Sequence, residues 1–88
     1  MGEEMTFDAV FAKVKEVVAE VFGVEKDQLS LQTSFGKDLN AESLDLVTML
    51  MEFEDAFDQK IPDEDVEKIV TIGDAVNYIT RIQAENKQ

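Results

Sequence analysis

Apolar residues fall into four stretches spaced by threes and fours, the repeat that lines one face of an α-helix. In the first stretch the stripe is Phe7, Val10, Phe11, Val14, Val17, Val18, Val21 and Phe22. Thr6 stands where an N-cap belongs, Asp8 lies in the first turn where the helix dipole favours an acid, and Gly23 stops the helix. The second stretch opens near Asn40 or Ala41, with Asn40 as its N-cap and Glu42 and Asp45 near its positive end. Its inward stripe is expected to be Leu44, Val47, Leu50, Met51 and Phe57, with Phe53 close to it. The third is short: Pro62 supplies the preset backbone angle of a helix start, followed by Asp63, Glu64, Asp65, Val66 and Ile69. The fourth takes Thr71 as N-cap, Asp74 as the capping-box acid, and a stripe of Ile72, Ala75, Val76, Ile79 and Ile82.

Between the first two helices, residues 24–40 make a loop of about 17 residues, longer than an ordinary connection. Its Leu29, Leu31, Phe35 and Leu39 favour packing back onto the core, and the pattern over Val24 to Leu31 is too weak to require a helical turn. No run alternates with the period of two that a strand needs. The expectation is an all-α fold, a four-helix bundle with a short third helix and a long loop between helices one and two. The 88 residues fit a single domain, 1–88, with its core over about 6–82 and both ends frayed.

Charge narrows the function. Twenty acidic residues against eight basic ones give a formal net charge of -12. Such a field repels nucleic-acid phosphates and anionic membranes and attracts partners bearing Lys and Arg. The chain has no Cys and no His, which removes disulfides, thiolate metal sites, thiol nucleophiles and the commonest general base. No apolar run approaches the roughly 18 residues of a membrane span, and the acidic N-terminus lacks the order of a signal peptide. Met1-Gly2 with Thr6 fits the letter of a myristoylation signal, but the acids at positions 3 and 4 oppose membrane binding. A soluble, cytoplasmic monomer is expected.

An enzyme on this chain would have to work through carboxylates, Lys, Ser, Thr or Tyr78, and a domain this small offers little cleft for a paired-carboxylate mechanism. A calcium loop also fails: Asp63, Asp65 and Glu67 alternate, but Lys68 stands in the place of the required Gly, so no specific metal site is expected. One stretch stands apart. From Asp38 to Gln59 there are seven acids and no Lys or Arg, over an apolar stripe. A helix so one-sided gives up its stabilising i,i+4 ion pairs, which favours a docking surface for a basic partner over a merely solvated face. At its start stands Ser43, either a helix-start residue whose hydroxyl bonds a backbone N–H or a hydroxyl that another enzyme modifies.

The run Asp38-Leu39-Asn40-Ala41-Glu42-Ser43-Leu44-Asp45-Leu46-Val47 resembles the phosphopantetheine-attachment motif of acyl carrier proteins. The likeness continues through Phe57-Asp58, Ile61-Pro62-Asp63-Glu64-Asp65, Glu67-Lys68-Ile69 and Tyr78-Ile79, covering about residues 6 to 82. The resemblance implies a carrier, itself no enzyme, whose Ser43 Oγ attacks the β-phosphorus of coenzyme A on a magnesium-dependent phosphopantetheinyl transferase. The chain then bears 4'-phosphopantetheine in a phosphodiester, and adenosine bisphosphate leaves. Growing acyl chains would ride as thioesters on the prosthetic thiol during fatty-acid biosynthesis. The resemblance also implies contacts with synthesis enzymes bearing basic patches through Glu42, Leu44, Asp45, Leu46, Met51, Glu52, Glu54 and Asp55. Val47, Leu50, Phe53, Ile69, Ala75 and Ile79 would line the space that shelters the acyl chain. Glu42 replaces the family's usual Asp, Asn40 its common Gly, Thr48 a frequent acid and Glu52 a common Ala. These departures keep open a specialised carrier for polyketide or modified-lipid synthesis. A third reading is an unmodified acidic interaction protein.

Overall fold

The first apolar stripe folds as α1 (Phe7–Phe22) in the computed structural model, which describes residues 6–85. Thr6 Oγ1 accepts the Ala9 N–H at 3.1 Å, and Gly23 closes the helix in the left-handed conformation at φ 68°, returning its N–H to Ala19 O. Both ends are those the sequence predicts. Val10, Val14, Val17 and Val18 are buried, whereas Phe7, at the first turn, extends past the core and is exposed.

A 3-10 turn (Lys26–Gln28) follows, then α2 (Ser43–Phe57), a second 3-10 helix (Asp63–Lys68) and α3 (Ile72–Glu85). The class is all-α, with three α-helices and no strand among the described residues; an isolated bridge pairs Ser34 with Thr71. The expected four-helix bundle is corrected in one element, because the short third helix is a six-residue 3-10 segment. Pro62 is extended (ψ 138°) and precedes this segment instead of opening it. Only Val66 and Ile69 offer apolar anchors there, three residues apart, a spacing that a 3-10 turn brings to one side.

The start of α2 is also corrected. Asn40 lies in the left-handed region (φ 58°), so it is no N-cap; Glu42, extended at φ −102°, takes that place. The buried face of α2 is Met49, Leu50, Phe53 and Phe57. Leu44 and Met51, expected inward, are 74% and 60% exposed, and Val47 is half-buried. Two apolar faces compete along this helix. The one carrying both phenylalanines wins, because aromatic rings bury the most area.

α1 packs against both α2 and α3, and the second 3-10 helix against α2. Their shared core holds Val14, Met49, Leu50, Phe53, Ile72, Ala75, Val76 and Ile79, all 1% exposed or less. Each large side chain buried this way contributes about 1.5–3 kcal/mol. The long loop joins the same core, as its apolar residues predict. Leu29 and Phe35 are buried, Leu31 and Leu39 pack against the cluster, and the Phe35 ring stacks on Phe22 with centroids 6.2 Å apart. Backbone bonds then sew the loop to the start of α3: Phe35 N to Val70 O (3.0 Å), Ile72 N to Thr33 O (3.0 Å) and Gly73 N to Leu31 O (2.8 Å). Gly73 permits that approach, since a Cβ there would meet Leu31 O at 2.9 Å. Thr71 and Asp74 cap α3 reciprocally, each side chain accepting the other's N–H at 3.1 Å, as predicted.

Met1-Gly2 and residues 86–88 lie outside the described residues, whereas residues 83–85, past the expected core of 6–82, continue α3. No described helix is long and apolar enough to cross a membrane.

Candidate functional site

Ser43 is the first residue of α2 and is exposed. The capping work falls to its neighbours. Glu42 and Asp45 form a capping box, with Asp45 Oδ2 accepting the Glu42 N–H at 3.0 Å. The first turn then closes through Leu46 N to Glu42 O, 3.0 Å. Ser43 Oγ enters no hydrogen bond among the described residues, so the cap reading of this serine does not hold. The result is a free primary hydroxyl at the positive end of a 15-residue helix, where the dipole stabilises an added anion.

The preceding loop holds that hydroxyl in place. Ser34 N–H donates to Asp38 Oδ2 (2.8 Å), Lys37 N–H to Ser34 Oγ (3.2 Å), and Ala41 N–H to Phe35 O (2.8 Å). One turn beyond Ser43, half-buried Leu46 enters the wall of an open groove of about 690 Å³. Val66, Ile69, Val70 and Thr71 form another side, with Ser34 and Asp38 of the loop at its edge. Val70 is 55% exposed, an unusual state for a valine beside a core. Val66 and Val70 are groove residues that sequence reasoning missed. The signal was their place one turn before and directly after Ile69 in a segment whose helix type was misjudged.

The residues expected to meet partners divide by role. Leu44, Met51, Glu52 and Asp55 are exposed on α2, and among the described residues no hydrogen bond or ion pair engages these two carboxylates. Glu42 and Asp45 are committed to the cap. Glu54 is half-buried and accepts the Ile61 N–H at 2.9 Å, tying the end of α2 to the next segment. Leu46 faces the groove. Of the residues expected to shelter a chain, Leu50, Phe53, Ile69, Ala75 and Ile79 are buried and Val47 is half-buried. Ile69 alone among these six lines the groove.

Among the described residues two titrating groups are perturbed, Asp65 in the second 3-10 helix and Tyr78 on α3. Tyr78 OH on α3 donates to Asp65 Oδ2 in the second 3-10 helix, and Lys68 Nζ lies 3.4 Å from Asp65 Oδ1. The Tyr78 hydrogen bond, seconded by Lys68, holds Asp65 below the usual carboxylate range against the opposing effect of burial. Burial, then the bond to Asp65, pushes Tyr78 up to about 12.

Comparison with known proteins bears on the same residues. The family of the phosphopantetheine attachment site matches residues 12–79. An acyl carrier protein of Lactobacillus acidophilus is 45% identical over 75 residues, covering 85% of this chain and 94% of the relative. A solved structure of the acyl carrier protein from Enterococcus faecalis matches with a TM-score of 0.73 at 41% identity, covering 89% of this chain and 99% of that one.

Proposed function

The chain belongs to the phosphopantetheine-attachment family, and from that premise we propose that Ser43 bears the prosthetic group and that the protein shuttles acyl thioesters in fatty-acid synthesis. A member of this family is a carrier and a substrate of other enzymes, not an enzyme. The observation that carries the assignment to Ser43 is its exposed hydroxyl at the start of α2, left unengaged because Glu42 and Asp45 cap the helix.

The residues present fit the group. When bound, 4'-phosphopantetheine supplies a thiol for thioester formation, which this Cys-free chain otherwise lacks. The N-terminus of α2 offsets the charge of the phosphodiester, while Glu42 and Asp45 keep that N-terminus fixed. Leu46, one turn after Ser43, joins Val66, Ile69 and Val70 in an apolar groove surface along which an acyl chain lies. Leu50, Phe53, Ala75 and Ile79 form the core of the bundle, and Val47 is half-buried on α2. Leu44 and Met51 supply apolar contacts to partner enzymes, and Glu52 and Asp55 meet their basic patches. The carrier works as a cytoplasmic monomer.

Thr48 and Glu52 are both exposed, so the altered acid pattern lies on the surface that partners meet, and this favours a second reading as a specialised carrier. Transfer of a malonyl group from malonyl-coenzyme A by a fatty-acid malonyl transferase separates the two. The phosphopantetheine-loaded protein is expected to accept malonate. Refusal by fully loaded protein would replace the fatty-acid reading with the specialised one.

A further inference from the structure

The second 3-10 helix, with Ile69 directly after it, forms one wall of the groove through Val66, Glu67 and Ile69, yet it is a weakly built element. Its hydrogen-bond geometry is the poorer 3-10 type, and its six residues exceed the three or four that such runs commonly reach. Ile69 is anchored in the core, but Val66 is only half-buried, and residues 64, 67 and 68 are exposed. The segment packs on α2 and Ile69 enters the shared core, and the side-chain hydrogen bond from this wall to α3 is made by Asp65. Its carboxylate is shared, Oδ2 taking the Tyr78 hydroxyl of α3 and Oδ1 lying beside Lys68 of its own segment.

We propose that the Tyr78–Asp65 hydrogen bond is a latch that fixes the second 3-10 helix against α3 and thereby sets how readily the groove beside Ser43 opens. The two partners of Asp65 are unequal. Lys68 is 72% exposed, so its ion pair is solvent-screened and belongs to the segment that must move. Tyr78 is half-buried on a rigid helix and packs against the core, so its hydroxyl is a fixed point. With that hydroxyl gone, the half-buried carboxylate gains more from turning to water than from staying, and Val66 turns out with it. Tyr78 is thus a positioning residue, acting on the groove through Asp65. Its part in acyl shelter rests on the function proposed above, whereas the latch itself does not.

Amide hydrogen exchange on the unloaded protein tests the latch. The Asp65 and Ile69 amides, bonded to Pro62 O and Val66 O, report opening of the wall, and the Val14 and Val18 amides of α1 report global unfolding. Tyr78→Phe keeps the ring and is expected to speed Asp65 and Ile69 exchange about tenfold, the scale of one charge-assisted hydrogen bond lost from a local opening, with α1 unchanged. Lys68→Ala is expected to leave both sets nearly unchanged. Unaltered exchange at Asp65 and Ile69, or equal acceleration in α1, would overturn the latch. On protein loaded with an octanoyl thioester, Tyr78→Phe is expected to raise the rate of hydroxylamine cleavage several-fold. Unchanged cleavage alongside faster wall exchange would overturn the link to the acyl chain. Failure to load at Ser43 would instead strike the proposed function while leaving the exchange result standing.

Discussion

Asn40 holds a φ of 58°, a region that costs most L-residues about 1–2 kcal/mol and that Gly, Asn and Asp tolerate best. In the sequence it reads as an N-cap, since Asn is equally at home there, and the ambiguity is one of residue type: the same short amide side chain serves both roles. The structure decides by placing two further residues before the helix. It also accounts for the departure from the family's common Gly, because the position demands a left-handed backbone and Asn is the conservative alternative. Asn40→Val is expected to destabilise the fold by about 1 kcal/mol, measured by urea denaturation, with Asn40→Gly within a few tenths of wild type. Equal stability of the valine variant would show that the left-handed turn is not maintained in solution. The motif singles out Ser43 in the sequence, but its freedom from capping is visible only in the structure. That depended on the capping box of Glu42 with Asp45, whose carboxylate takes the Glu42 N–H.

At the scale of elements, α1 was legible from end to end because Thr6 and Gly23 mark it chemically and one apolar face has no rival. α2 was half legible. Its span was clear, but Leu44 and Met51 gave a second apolar face, and only packing in three dimensions shows which one is inside. The second 3-10 helix was misjudged as an α-helix because a Pro followed by acids announces a helix start without specifying its pitch. On the outer side of α2, Glu52 and Asp55 stand at i and i+3, so like charges lie one turn apart, with Asp58 at the C-cap just beyond. Each such pair costs about 0.2–0.5 kcal/mol. The acids are nevertheless not equivalent. Asp45→Lys breaks the cap and reverses a charge at the helix start, and it is expected to cost about 1 kcal/mol of stability along with partner activity. Asp55→Lys removes an exposed, unpaired acid between two others. Its stability is expected to stay within about 0.5 kcal/mol of wild type, while acyl transfer by partner enzymes slows. Thermal melts alongside transfer rates check the pair; a normal transfer rate for Asp55→Lys would move the docking face elsewhere.

Across the whole molecule, a formal charge of -12 is held on a body whose radius of gyration is 12.2 Å. The ion pairs among the described residues, Lys13–Glu16 at 3.7 Å and Lys68–Asp65 at 3.4 Å, offset little of it. The fold therefore works against self-repulsion, and millimolar magnesium or moderate salt is expected to raise Tm. A gain of about 1 kcal/mol corresponds to roughly 4–8 °C for a domain of this size. A melting temperature indifferent to both would mean that the acids are dispersed well enough to leave no net repulsion. On the proposed function, the same charge draws basic partners, and the exposed hydroxyl of Ser43 at the start of α2 is the group they modify. Intact mass tests that claim most directly, measured before and after incubation with coenzyme A, magnesium and a broad-specificity phosphopantetheinyl transferase. One phosphopantetheine is expected on wild type and none on Ser43→Ala, with the helical circular dichroism of both proteins alike. A folded wild-type protein that gains no mass, or a Ser43→Ala variant that gains as much, would contradict the assignment.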